Sequence, residues 1–225
     1  MAAVNNSAVS LPNIDPNHIV MIVARKNSGK TFLIKHLLRD AFSKGLYDWC
    51  VCITPTKFNK DYTNILGDKY VFESFDPEQI DAMLNTQESM IKKRKKHLQG
   101  LLILDDCLGS VDFTHRVFTK LFSTNRHFKI GVWVTSQKYK ALPPICRGNA
   151  DKTILLNTVN DTVAKSLHEE YCTPRFPTFR DLQRFCHECN QNYGGVCISN
   201  GKTAEYSCIR APSSPLKKFT IKMKK

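Results

Sequence analysis

The segment Ala24-Arg-Lys-Asn-Ser-Gly29-Lys30-Thr31 constrains the fold more than any other stretch of this 225-residue chain. It matches the nucleotide-binding pattern G-x-x-x-x-G-K-[ST], except that Ala24 stands at the first glycine. Gly29 lets backbone N–H groups curl around phosphate oxygens, and Lys30 sets its ammonium between the β- and γ-phosphates. Thr31 offers a hydroxyl to Mg²⁺. Residues 18–24 are short, apolar and β-branched, as expected of a strand buried on both faces. Phe32, Leu33, His36 and Leu37 follow at helical spacing. Strand before and helix after is the context the pattern needs, because the positive helix end then lies beneath the anion. Ala24, Arg25, Lys26, Asn27, Ser28, Gly29, Lys30 and Thr31 are therefore the candidate nucleotide-binding set.

The rest of the chain agrees with that start. Apolar runs at 48–54, 69–72, 101–104, 130–135 and 153–157 predict further strands, several apolar throughout. Helical patterns cover 77 to about 97, 113–122, 161–171 and 178–189. Strands alternating with helices indicate an α/β fold, a mostly parallel sheet covered by helices on both faces. Asn200-Gly201 between two short apolar runs predicts a C-terminal β-hairpin. The expected organisation is an N-terminal arm (1–16), a phosphate-loop core (17–172), a helix and hairpin extension (173–211) and a basic, mobile tail (212–225).

Composition narrows the function. A hydrophobic content of 42% with 24% charged residues is that of a globular protein. No apolar run approaches the ~20 residues of a membrane span, so no membrane partner is expected, and the first residues lack the order of a secretory signal. Nine cysteines is an odd count. Cys50, Cys52 and Cys107 lie inside or beside apolar runs and read as buried thiols, which favours a reducing intracellular compartment. The excess of 33 Lys+Arg over 20 Asp+Glu, +13, favours a polyanionic partner. It is clustered at 92–96 and at Lys217, Lys218, Lys222, Lys224 and Lys225. Such clusters grip a DNA backbone without reading bases; a solvated helix face is the other reading for 92–96, and an acidic capsid or portal surface the other for the tail.

Leu101-Leu-Ile-Leu-Asp105-Asp106 supplies the second half of a nucleotide site. An acid at the carboxyl end of a buried strand holds Mg²⁺, and its neighbour orients or deprotonates the attacking water. Asp105 is the candidate metal residue and Asp106 the candidate catalytic carboxylate. Gln137, just past the strand at 130–135, lies where ligands sit in an open α/β sheet.

These motifs, with Asn125-Arg126-His127 and the stretch 142–151, resemble in order and spacing the poxvirus-type genome-packaging ATPases of the FtsK/HerA superfamily. The resemblance covers about residues 17–160. It implies hydrolysis of ATP with Mg²⁺ to drive double-stranded DNA into a preformed capsid. It further implies a homo-oligomeric ring, pentamer or hexamer, with viral capsid or vertex proteins as partners. The expected location is the host cytoplasm where virus assembles, with a place in the virion left open. In such a ring an arginine from the neighbouring subunit completes each site; Arg126 is the first candidate and Arg147 the second. Ala24 and Asp106 depart from the family's usual Gly and Glu, and the shorter Asp106 carboxylate calls for a different position of the attacking water.

Two rival functions remain on sequence grounds. A nucleoside or nucleotide kinase accounts for the phosphate loop and the size, but not for the paired acids, the Gln or the charge. A non-enzymatic nucleic-acid binder has only Ala24 in its favour. Cys186-x-x-Cys189 with Cys197 and Cys208 leaves a four-thiolate zinc site open, against which stands the wide spacing of the second pair.

Overall fold

The computed structural model describes residues 10–93, 98–107, 112–171, 174–214 and 216–224. Its strands are β1 (Ile19–Ala24), β2 (Trp49–Ile53), β3 (Val71–Phe72), β4 (Gly100–Leu104), β5 (Ile130–Ser136), β6 (Lys152–Leu156), β7 (Gly195–Ser199) and β8 (Glu205–Ile209). They form one sheet in the order β3-β2-β4-β5-β1-β6-β7-β8. The first six in that order run parallel, and β7 and β8 continue the sheet antiparallel.

The central strands β1, β4 and β5 are buried at every residue, which explains their unbroken apolar runs. Successive side chains alternate between two cores. Ile19, Met21 and Val23 of β1 face one, and Val20, Ile22 and Ala24 the other. The first core is closed by α3 (Pro77–Lys92), α4 (Arg116–Thr124), α6 (Asp161–Glu170) and α7 (Phe179–Cys189). The second is closed by α1 (Lys30–Ser43) and α2 (Thr63–Leu66). A further short helix, α5 (Pro144–Gly148), follows β5.

Side-chain caps start the longer helices where expected. Asp76 caps α3 through the amides of Glu78 and Gln79, with Pro77 at the first position. Thr178 and Asp181 form a reciprocal capping box on α7. Helix α1 differs: Gly29 precedes it with no side-chain cap and no acid in the first turn. Its free amides are left for another acceptor.

Two expectations change, and the open zinc question is decided. The hairpin is wider than a two-residue turn, because Asn200 is drawn to the start of β6, its amide donating to the Asp151 carbonyl (2.9 Å) and its side chain to that of Ala150 (2.5 Å). The tail docks as an extended strap. Ile221 is buried and Phe219 and Met223 pack inward beside it, while Lys218, Lys222 and Lys224 point outward. The Ile221 amide donates to the Ile65 carbonyl and the Lys224 amide to that of Asp48, both at 2.8 Å. The cysteines do not assemble a zinc site. Cys189 and Cys208 form a disulfide, while Cys186 and Cys197 lie in opposite cores on the two sides of the sheet. Among the described residues no group of three or more His, Cys, Asp or Glu side chains is placed to hold a metal. Cys50, Cys52 and Cys107 are buried free thiols, as expected. Of the basic run at 92–96, residues 94–96 lie outside the described residues, and Lys92 pairs with Glu88 at 2.5 Å.

Candidate functional site: a phosphate loop over paired acids

The loop between β1 and α1 turns on two left-handed residues, Asn27 (φ 63°) and Gly29 (φ 85°). A glycine takes that conformation freely, whereas Asn is one of the few other residues that tolerates it. Ser28 fixes the bend by donating both its amide (3.2 Å) and its hydroxyl (2.6 Å) to the Arg25 carbonyl. Ala24 is buried at the end of β1, where its methyl lies in the second core; Arg25, Lys26 and Asn27 are exposed. Ser28, Gly29, Lys30 and Thr31 are half-buried at the opening of α1.

Directly beneath the loop, Lys30 Nζ bridges both acids that follow β4. It lies 3.2 Å from Asp105 Oδ1 and is ion-paired with Asp106 Oδ2. A third strand joins them through Thr135 of β5. Its hydroxyl donates to Asp105 Oδ1 (2.7 Å), accepts from the Asp106 amide (3.0 Å), and lies 3.3 Å from Lys30 Nζ. Asp105 is buried, whereas the Asp106 side chain is about one-third exposed. Asp106 has φ 53°, so the backbone bends sharply between the two carboxylates. That conformation is costly for a residue with a side chain and tends to persist where surrounding contacts enforce it.

Neighbouring titratable groups are quiet. Burial pushes the Cys107 thiol up to about 12, and the Asp105 and Asp106 charges act in the same direction. The thiol instead donates to the Ile53 carbonyl at 3.1 Å. Burial, reinforced by the Asp105 charge, also holds the Tyr62 hydroxyl well above its ordinary value. Neither group serves as a nucleophile or base near pH 7.

Gln137 follows β5 at the same edge of the sheet and is exposed. It lines a cavity of about 450 Å³ together with Arg25, Lys26, Lys138 and Lys140. Its side chain is thus beside the loop, on the flank of the cluster rather than within it.

The two arginines are elsewhere. Arg126 pairs with Asp151 Oδ1, and Asp151 Oδ2 accepts from the amide of Ile19, the first residue of β1. The six residues of β1 separate Arg126 from the loop, roughly 20 Å at about 3.3 Å per residue. Its side chain is 68% exposed. Arg147 is held inside its own chain, donating to the Leu142 carbonyl (2.5 Å) and to Glu170 Oε1 (3.3 Å) over the Tyr139 ring. Neither side chain reaches the loop of its own chain.

Thr135 carried no assigned role on sequence grounds. One signal for it exists: a threonine in a fully buried strand that is apolar up to it must find a hydrogen-bond partner. Its partners, thirty residues away, are not visible in the strand itself.

Several known proteins share this fold. The genome packaging NTPase B204 of Sulfolobus turreted icosahedral virus 2, solved with ATP-gammaS, superimposes with a TM-score of 0.62. It is 17% identical, over 88% of this chain and 99% of that one. The pCW3 conjugation coupling protein TcpA, also with ATPgS, gives 0.55 at 11% identity, over 86% and 60%. The shared architecture is that of phosphate-loop ATPases. In sequence, protein L437 of Acanthamoeba polyphaga mimivirus is 25% identical over 204 residues, 85% of this chain and 69% of that protein. Protein 075L of Invertebrate iridescent virus 6 is 22% identical over 183 residues, 80% and 70%. The model of the family described as Poxvirus A32 protein matches residues 12–173. With most of the chain inside that match, and with the loop, the paired acids and the strand that joins them all lying within it, the chain belongs to the poxvirus A32 protein family.

Proposed function

We propose that this protein is an ATP-hydrolysing motor that moves double-stranded viral DNA into a preformed capsid. The observation that carries the reading is the cluster of Lys30, Asp105, Asp106 and Thr135 beneath an uncapped helix start. Membership of the family, the +13 charge and the likeness to a packaging NTPase support its use in genome packaging. A kinase reading is not favoured: it accounts neither for the paired acids and the +13 charge nor for the family match and the likeness to a packaging NTPase.

The loop amides from Asn27 to Thr31 and the start of α1 receive the β- and γ-phosphates. Lys30 then exchanges its two carboxylate partners for phosphate oxygens. That exchange releases Asp105 and Asp106 for separate tasks. The hard oxygen donors of Thr31 and Asp105 fit a Mg²⁺ ion, which when bound supplies positive charge against the phosphate oxygens. Asp106, more exposed and turned by its backbone, orients the attacking water and accepts its proton. Gln137 holds the far side of that water or the γ-phosphate. Thr135 holds the Asp105 carboxylate and the Asp106 backbone at fixed angles to the loop.

Arg126 is the residue that acts in trans. An exposed guanidinium at the amino end of β1 can meet a phosphate loop only in another copy, so the assembly is head-to-tail. Arg147, committed to Glu170 and Leu142, serves its own chain's packing.

The test is Mg²⁺-dependent ATP hydrolysis by the purified protein, with and without long duplex DNA, at two salt concentrations. Stimulation by DNA that weakens as salt rises is the expected result. Lys30→Ala abolishes turnover in both conditions. Hydrolysis indifferent to DNA, with phosphate passed to added nucleosides, overturns the motor in favour of a kinase.

A further inference from the structure

A basic cleft of about 530 Å³ lies between α1, the loop that leads from β2 into α2, and the C-terminal strap. Four lysines line it: Lys35, Lys60, Lys217 and Lys218. Asp61 is the one acid among its described lining residues, and it is paired with Lys35 at 2.7 Å. Lys60, Lys217 and Lys218 are exposed and have no acidic partner among the described residues. Asn59, Asn64 and Thr220 add neutral side chains that can donate to an anion.

Two distant parts of the chain supply these cations, and each is fixed in place. On one wall the Lys60 amide donates to the Lys57 carbonyl (3.0 Å), and Lys60 takes a left-handed φ of 58°. On the other wall the strap is held by the Ile221 amide on the Ile65 carbonyl (2.8 Å), with Phe219 packed inward. Lys217 and Lys218 therefore line the cleft while the strap is docked. Three unpaired ammonium groups around one cleft repel one another, and a bound anion relieves that repulsion.

We propose that this cleft grips the phosphate backbone of duplex DNA, with Lys60, Lys217 and Lys218 as its contacts. The proposal rests on the DNA-motor reading above and adds where the chain holds its DNA. Lys, Asn and Thr side chains are the usual contacts to backbone phosphates, which position DNA without reading its bases. No arginine is among the described lining residues. A lysine ammonium is a compact charge on a flexible stem, without the planar fork that fixes one carboxylate geometry. Such contacts suit a backbone that slides better than an acidic peptide docked in one pose. The cleft also shares elements with the ATP site. Lys35 follows Lys30 by five residues on α1, about 8 Å along the helix axis. Asp61 adjoins Tyr62, whose hydroxyl is held up by burial and by the Asp105 charge. DNA in the cleft therefore rests on the elements that carry the phosphate loop and flank its acids, and filling it stimulates hydrolysis.

The full-length protein is titrated with labelled duplexes of unrelated sequence over a range of salt concentrations. In the triple variant Lys60→Gln, Lys217→Gln, Lys218→Gln, affinity falls by about tenfold or more at about 0.1 M salt, alike for every sequence. The slope of log K against log salt becomes shallower by about two to three. ATP hydrolysis without DNA stays within about twofold of wild type, whereas its stimulation by DNA falls by about half or more. The corresponding Lys→Arg triple keeps wild-type DNA affinity. Lys44→Gln, Lys165→Gln, Lys202→Gln removes the same charge from exposed positions outside the cleft and keeps affinity within about threefold. The proposal is overturned if the cleft variant binds DNA like wild type, or if both Gln triples lose affinity equally. It is also overturned if the cleft variant keeps DNA but loses a polyglutamate peptide, which assigns the cleft to an acidic protein segment. If the wild-type protein hydrolyses ATP but binds no duplex at any salt, the motor reading falls with it.

Discussion

Thr135 is the residue on which the geometry of the site depends most. One hydroxyl serves Asp105, the Asp106 amide and the Lys30 ammonium, so three elements far apart in sequence meet at a single oxygen. Thr135→Val keeps the shape of β5 but removes the donor and acceptor, leaving Asp105 short of a partner in a buried setting. We expect kcat to fall by about tenfold, on the order of 1.4 kcal/mol, with KM for ATP nearly unchanged. Thr135→Ser restores kcat, which a purely structural role in the strand would not do. Steady-state kinetics of the three proteins checks it. The phosphate loop and the paired acids were legible in the sequence because each is contiguous and each residue type is dictated by its chemistry. The hydroxyl that joins them was not, because its meaning depends on the register that sets β4 beside β5.

At the scale of elements, strands and long helices were legible wherever periodicity was unbroken, and the short helices α2 and α5 were not. Four or five residues carry too little periodicity to register. Helix α1 also carries a pH response. Burial lowers the pKa of His36, with the nearby Arg39 charge adding to it. The unfolded chain therefore takes up a proton at His36 as pH falls through about 6.5, where the folded chain resists it. This contribution to stability is complete above that pH and is lost below it. Thermal midpoints measured from pH 7.5 down to 5.5 should decline, and His36→Gln should flatten the decline. A residual slope is expected from His18, whose pKa is also lowered, chiefly by burial, against the opposing pull of Asp151 and Asp15.

At the scale of the whole molecule, the strap formed by residues 216–224 closes an edge that β3 leaves open. Strand β3 pairs only with Cys52 and Ile53, so the rest of β2 lacks a neighbour on that side. Met223 Sδ accepts from the Cys50 amide (3.3 Å), and Lys224 adds an ion pair with Asp48 at 2.5 Å. An unprotected edge is a template for pairing with other chains. Removing residues 216–225 exposes the β2 edge and the apolar surface beneath Ile221, a loss of roughly 2–4 kcal/mol. We expect the thermal midpoint to drop by about 5–10 °C and light scattering to rise with protein concentration. The lysine-rich composition of this segment concealed its role, since the inward-facing residues Phe219, Ile221 and Met223 alternate with the lysines that dominate the count. Charge says what faces solvent, and says nothing of what the other half of an extended segment does.

The strap also sets an order of events during synthesis. Met223 meets Cys50 across 173 residues, one of the longest closures in the described chain. Strand β2 emerges early from the ribosome, yet the segment that shields it emerges after every other described element. Until residues 216–224 are made, a stretch of β2 is unprotected. A nascent chain of this kind is most exposed to a neighbour in the interval when the rest of the sheet is built and the strap has not yet arrived.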